Sequence, residues 1–376
     1  MSSGRPAQIG LDVRLTYYTG GGIARYIRHL AADLPALDPS VAFVHLYHRG
    51  HTAHFSTIAR RVECWTPAHN RLERVALAAE IWPYRLDLLH SPDFIPPAGG
   101  YRQSVITVHD LTFLRYPQFL TADSRLYYNG QIRWAVARAA AIAADSHATR
   151  DDLVNLLGVA PDKITVIHLG LEPQFSAAPP AGSPPDSAIW LRLGLSPGYL
   201  LFVGTFEPRK NVDGLLTAYA RLRQQWPEAP RLVLAGRRGW LFEASLQRLR
   251  ELDLEPHVSI LAEQAEADLP ALYRGAALFV LLSHYEDFGF TVLEAMGCGV
   301  PAVIANRASL PEIAGEAALA VEPDDAAGAA DALYRGLTDS DLRRRLIEHG
   351  LARAKQFTWE QTARATLALY HQVLGC

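Results

Sequence analysis

Cysteine is nearly missing from this chain. Cys64, Cys298 and Cys376 are odd in number and far apart, which excludes a disulfide framework and any recognisable metal-ligand spacing. A reducing compartment, the cytoplasm, is the expected setting. Lysine is almost as scarce: Lys163, Lys210 and Lys355 are three of 36 basic residues, the rest being arginine. Such a skew reads as coding bias, yet it draws attention to each lysine that remains. Neither charge sign dominates. The net charge is −3, so bulk electrostatics gives no case for a nucleic-acid binder. No run approaches the ~20 apolar residues of a membrane-spanning helix. The opening MSSGRPAQIGLDVRL has no apolar core, so no signal peptide is expected. Two segments, RRVECW (60–65) and EIWPYR (80–85), mix arginine with tryptophan as interfacial segments do. They leave open a peripheral membrane contact beside the plainer reading as ordinary surface and core.

What is present is a long series of short apolar runs. With 376 residues, two domains are expected, because single cores stop growing near ~250–300 residues. Residues 7–13, 41–47, 86–91, 104–110, 139–146 and 163–169 read as strands, with amphipathic stretches such as GIARYIRHLAADL (22–34) between several of them. This alternation implies βαβ units and a parallel sheet covered by helices. PQFSAAPPAGSPPDSA (173–188) breaks the pattern and reads as linker. Strand-like runs then resume at 199–204, 231–236, 257–261, 277–282, 301–305 and 317–322. The expected organisation is a first domain over 1–172, a linker over 173–198, a second domain over 199–356 and a closing helix over 357–376. The fold class is α/β: two Rossmann-like, doubly wound parallel-sheet domains facing across a cleft. Such sheets bind ligands at the carboxyl ends of their strands.

The strand ends carry the candidate chemistry. YYTGGGIARYI (17–27) leads Gly20, Gly21 and Gly22 into a helix, where backbone N–H groups can approach an anion closely; a plain flexible turn is the alternative. It matches neither the Walker loop nor the dinucleotide fingerprint, which would need a glycine where Arg25 stands. ITVHDL (106–111) puts His109 after a strand, either to meet a substrate hydroxyl or to be satisfied by backbone. Ser146 in ADSHATRDDL (144–153) is a helix N-cap. In GTFEPRKN (204–211), Arg209 and Lys210 stand at the mouth of a helix, an unfavourable place for two cations unless an anion joins them. A diphosphate would serve. Beyond the strand at 277–282 come Glu286, then FGF (288–290), whose amides open the next helix, then Glu294 inside an otherwise apolar stretch. A buried carboxylate needs a partner: a ribose diol, or an internal donor such as a distant arginine.

Taken together, GGGIARY, VITVHDL, ADSHATRDDL, VIHLGLE (166–172), LLFVGTFEPRKN and EDFGFTVLEAMGCGVPAVIA (286–305) resemble the retaining glycosyltransferases of family 4, which have the GT-B fold. The resemblance spans nearly the whole chain. It implies that Glu286 binds hydroxyls of the donor sugar and Glu294 the ribose. Backbone of Phe288, Gly289 and Phe290 would hold sugar and phosphate. Arg209 and Lys210 would neutralise the diphosphate, helped by Gly21 and Gly22, with Gly204 and Thr205 beside it. His109 would sit near the sugar, and the base against backbone around Leu261. The final helix would return to the first domain. One position departs from the family pattern: many members have arginine where Thr205 stands.

The resemblance further implies a nucleotide-sugar donor, no cofactor and no metal, with retention of anomeric configuration. The form of the 204–211 loop points to mannosyltransferases of bacterial polysaccharide assembly, hence GDP-mannose. A glycan or lipid-linked glycan would be the acceptor, at the inner face of the plasma membrane. Two competitors share the architecture: a nucleotide-sugar 2-epimerase and a non-catalytic nucleotide-sugar-binding protein.

Overall fold

The computed structural model describes residues 5–119, 122–239, 242–262 and 264–375. The chain divides into two compact units, one running to Gly170 and taking up Thr358–Cys376, the other Leu171–Phe357.

The first unit is built on β1 (Gln8–Asp12), β2 (Ala42–His48), β3 (Arg60–Cys64), β4 (Leu86–Ser91), β5 (Tyr101–Val108), β6 (Ala141–Ala144) and β7 (Ile164–Val166). They form one parallel sheet in the order β3-β2-β1-β4-β5-β6-β7. The central strands β1 and β4 are buried almost throughout, as strands covered on both faces must be. β3 was not expected from sequence. Its RRVEC has only Val62 and Cys64 buried, and an edge strand with that much charge shows little strand signature. The helix Gly22–Leu37 buries Ala24, Ile27, Leu30, Ala31 and Leu34, spaced three and four apart. Helix His147–Leu157 is capped by Ser146, which accepts from the Thr149 amide, and Trp359–Leu374 by Thr358, which accepts from Gln361. Trp359 stacks on His29 at 4.2 Å, and Tyr370 is hydrogen-bonded to His90 at 2.6 Å, so the last helix is part of this unit's core.

The second unit repeats the plan with β8 (Tyr199–Val203), β9 (Leu232–Gly236), β10 (Val258–Ala262), β11 (Ala276–Leu281), β12 (Ala302–Ala305) and β13 (Ala318–Val321), in the order β10-β9-β8-β11-β12-β13. All pairings are parallel. Both sheets start from a central strand, run outward one way, then resume on its other side. Strand order reverses between β1 and β4, and between β8 and β11; ligands of such sheets lie at these reversals.

The proline-rich stretch expected to be a linker is built into the second unit instead. It contains the helix Asp186–Arg192. Arg274 grips Asp186 through two bonds of 2.7 Å, Trp190 donates to the Ala271 carbonyl at 2.8 Å, and Arg192 pairs with Asp268 at 2.6 Å. Composition announces a break in pattern; these partners, some eighty positions away in sequence, explain why the break is still ordered.

Candidate functional site

In the second unit the strand reversal brings Gly204, at the end of β8, beside the residues that follow β11. The turn after Gly204 closes in a short 3-10 stretch, Pro208–Lys210. Asn211 then adopts a left-handed backbone and caps the helix Val212–Gln225. Its amide nitrogen donates to the carbonyls of Leu282 (3.0 Å) and Pro323 (2.8 Å). This clamp ties the turn to the loop beyond β11 and so sets where Lys210 points.

Lys210 Nζ lies 2.7 and 2.8 Å from the two carboxylate oxygens of Glu286. Arg209 Nη1 donates to Glu286 Oε2 at 3.0 Å, and Ser283 Oγ to Oε1 at 2.6 Å. Burial raises the pKa of Glu286, but Lys210 and Arg209 outweigh it and bring the carboxyl down to about 2. The two cations expected to await a diphosphate therefore already have an anion. Glu286 therefore differs from the sequence expectation: four hydrogen bonds from three side chains occupy its roughly four acceptor positions, so its first task is to hold Lys210 and Arg209. A sugar hydroxyl reaches it only in place of one of these donors. Lys210 is buried, whereas the Arg209 side chain keeps 26% of its surface exposed.

The segment after Glu286 is fixed by Ser309, whose hydroxyl donates to the Glu286 carbonyl at 2.9 Å. Phe288 is wholly buried and packs edge-on against Phe290 at 5.1 Å, so only its backbone is available to a ligand. Gly289 has φ 98°, a conformation suited to glycine, and the helix Phe290–Gly297 starts from it with no side chain capping its first turn. Glu294, within that helix, is buried and accepts a 2.9 Å hydrogen bond from Tyr273. Tyr273 is thus an internal partner of this carboxylate that sequence did not offer. Thr205 and Gly204 lie in the turn; Gly204 donates to the Ala235 carbonyl at 2.9 Å. Leu261 is half-buried on β10, paired with Ala235 at the sheet's edge.

The remaining expected residues lie in the first unit. His109 follows β5 and is buried. Nδ1 is 2.5 Å from Asp145, and Nε2 is 2.9 Å from the Pro92 carbonyl. A carbonyl can only accept, so Nε2 carries a proton. Burial lowers the ring's pKa, but Asp145 overrides it and lifts the value to about 9. Backbone satisfies Nε2, as the second sequence reading had it, but a side chain, Asp145, serves Nδ1, and neither ring nitrogen is left for a sugar. Gly21 precedes the helix Gly22–Leu37 at φ −72°. A Cβ on Gly20 would meet nothing, and one on Gly21 only Thr19 Oγ1 at 3.9 Å. The fold itself makes no demand for glycine at these two positions.

Sequence reasoning missed Asn211, Ser283, Ser309 and Gly236. Gly236 could have been suspected, since it ends a strand. Its φ is 153° and an added Cβ would lie 1.9 Å from the Gly204 carbonyl oxygen, so the turn after β9 must be bare for the turn after β8 to fit. The two serines carry no local signal.

Two doubly wound parallel sheets in one chain are the architecture of the GT-B class of sugar-transferring proteins. Solved structures agree on this fold. A sucrose-phosphate synthase from Thermosynechococcus elongatus superposes with a TM-score of 0.76 over 98% of this chain and 99% of its own, at 21% identity. Anabaena Alr3699/HepE, solved with UDP and glucose, gives 0.72 over 96% and 98%, at 19% identity. Residues 20–175 match the family described as Glycosyltransferase Family 4, and 192–353 the one described as Glycosyl transferases group 1. The O-antigen chain mannosyltransferase B of Escherichia coli is 32% identical over 82% of this chain and 79% of its own. A D-inositol 3-phosphate glycosyltransferase of Salinispora tropica is 28% identical over 93% and 77%. The chain belongs to the family 4 glycosyltransferases.

Proposed function

We propose that the protein transfers a hexose, mannose from GDP-mannose, to a hydroxyl of a glycan or lipid-linked glycan, with the anomeric configuration retained. The observation that carries this reading is the Lys210–Glu286–Arg209 cluster at the strand reversal of the second unit. When the bond between anomeric carbon and diphosphate breaks, negative charge grows on the departing oxygen, and fixed cations held close by stabilise it. Glu286 keeps both cations in place, and Arg209, the more exposed, is the one able to turn to the phosphate. The acceptor oxygen forms its bond on the face the diphosphate leaves, and the departing phosphate oxygen takes the acceptor's proton. Two permanent cations supply the charge that a metal would otherwise bring, so no metal is required in this reading. Glu294 would receive the ribose, amides of 288–290 the sugar and phosphates, and backbone near Leu261 the base. Gly20 and Gly21, not needed as glycines by the fold, would with Gly22 let phosphate oxygens approach the chain. Mannose is favoured by the similarity to the Escherichia coli O-antigen chain mannosyltransferase. The test is a product analysis with GDP-mannose, UDP-glucose and an oligosaccharide panel: an α-glycoside from an α-donor is expected. Epimerised sugar nucleotide without acceptor, or binding without turnover, would select one of the competing readings.

We further propose that the first unit rests on an anionic bilayer, where a lipid-linked acceptor would be found. No helix among the described residues is long and apolar enough to cross a membrane. The helix Glu73–Ile81 turns its two acids inward: Glu73 bonds to buried Arg14, and Glu80 accepts from the amides of Trp65 and Thr66. Outward it shows Leu72, Val75, Ala79 and Trp82, at helical spacing and exposed, with Arg71 and Arg85 exposed at either end. Trp65 is exposed nearby, under the Arg49 guanidinium. Apolar and aromatic side chains ringed by arginine suit a negatively charged headgroup surface.

A further inference from the structure

The first sheet has its own strand reversal, and a second polar cluster occupies it. Asp12 ends β1 and Ser91 ends β4, the two strands that flank the reversal. Between them is a narrow slot lined by Asp12, Arg14, His69, Glu73, Ser91 and Asp93 among others. It has room for about one water-sized group.

Most of the lining is tied together. Arg14 is wholly buried and donates to both Asp12 oxygens at 2.9 and 2.6 Å, to Glu73 at 2.5 Å and to the Thr66 carbonyl at 2.8 Å. His69 Nε2 is 2.5 Å from Asp93, and the His69 amide donates to Glu73 at 2.8 Å. His69 holds a backbone φ of 60° to do this, and non-glycine residues kept in that region gather at ligand sites. Ser91 differs from its neighbours. It is 2% exposed and its Oγ has no protein hydrogen-bond partner, a costly condition for a buried hydroxyl. The charges also select. Asp12, Glu73 and Asp93 bring three negative charges, against which Arg14 and His69 set at most two positive. A neutral hydroxyl can donate to such a lining, and a phosphate or carboxylate is repelled.

We infer that this slot receives one hydroxyl of the acceptor, with Ser91 Oγ and the Asp93 carboxylate as its partners. The group that enters the slot is therefore an uncharged hydroxyl and not a phosphate or carboxylate. The inference rests on the glycosyltransferase reading, and it places the specificity for the acceptor's terminal residue at the switch point of the first sheet.

The test compares the wild-type chain with Ser91→Ala, which removes one oxygen, and Ser91→Val, which also fills the slot. Acceptor KM is expected to rise about tenfold in Ser91→Ala, the loss of one hydrogen bond to a buried partner, and further in Ser91→Val. Donor Kd by calorimetry should stay within twofold of wild type. Unchanged acceptor KM in both variants overturns the inference, since a slot that only houses a structural water would behave so. If Ser91→Val fails to fold, Ser91→Ala alone decides. Should the chain transfer no sugar at all, the glycosyltransferase reading fails separately. The slot is then read by saturation-transfer NMR with methyl α-mannoside. Loss of transfer in Ser91→Ala supports it; equal transfer in both proteins, or none from wild type, overturns it.

Discussion

Lys210 Nζ and the Glu286 carboxylate meet at 2.7 Å across 76 positions of sequence. The pair joins the turn after one central strand to the loop after its neighbour, at the point where the second sheet reverses its strand order.

Lys210→Ala should lower kcat by ~10²–10³-fold, the usual cost of removing one preorganised charge from a developing oxyanion. Stability should suffer less, because Arg209 and Ser283 still serve Glu286. Initial rates and thermal melts on the same preparation check this. Activity within twofold of wild type would remove Lys210 from the mechanism.

The charge state of Glu286 makes an acid limb. Its folded pKa, about 2, lies below the ordinary 4.5, so its contribution is in full force above pH 4.5 and disappears as pH falls through about 2. The contribution is on the order of 3 kcal/mol. Glu286→Gln should flatten this limb of the stability–pH curve; an unaltered limb would show that Glu286 is not the titrating group.

His109 works in the opposite direction. Its folded value of about 9 exceeds the ordinary 6.5, so its stabilisation is complete below pH 6.5 and lost as pH rises through 9. Between those values wild type should lose up to about 3 kcal/mol relative to His109→Gln. Chemical denaturation at pH 6, 7.5 and 9.5 measures the difference. Parallel curves would mean that the Asp145 pair is not ionised as described.

Two glycines should answer differently to alanine. Gly236→Ala drives a Cβ to 1.9 Å from the Gly204 carbonyl and should lower Tm by many degrees or abolish folding. Gly21→Ala meets no obstacle nearer than 3.9 Å, so it should fold normally and raise donor Kd about tenfold. Wild-type donor affinity in Gly21→Ala would detach the glycine loop from the phosphates.

Val75→Glu with Trp82→Glu should release the protein from sedimenting phosphatidylglycerol vesicles while leaving its melting temperature within a few degrees, since both side chains are over 70% exposed. Equal sedimentation of both proteins would rule out this face. Loss of a dimer in sedimentation velocity, with no vesicle binding by wild type, would assign it to a second copy of the chain.

The sequence by itself determined the architecture and the addresses of the chemistry. Short apolar runs bounded by turns are local signals, so twelve of the thirteen strands among the described residues could be read directly; the charged edge strand β3 could not. Motifs at strand ends named Gly21, Arg209, Lys210, Glu286 and Glu294 as the residues to watch, since in a doubly wound sheet every such end comes to the same side. Only the tertiary structure decided who partners whom. That Glu286 neutralises the cations, that Tyr273 donates to Glu294, and that His109 is consumed by Asp145 and Pro92 are facts about side chains brought together from tens of positions apart. A residue's type and neighbours in sequence set what bonds it can make. Which bonds it does make depends on distances of a few ångströms that the packed sheets and their covering helices impose.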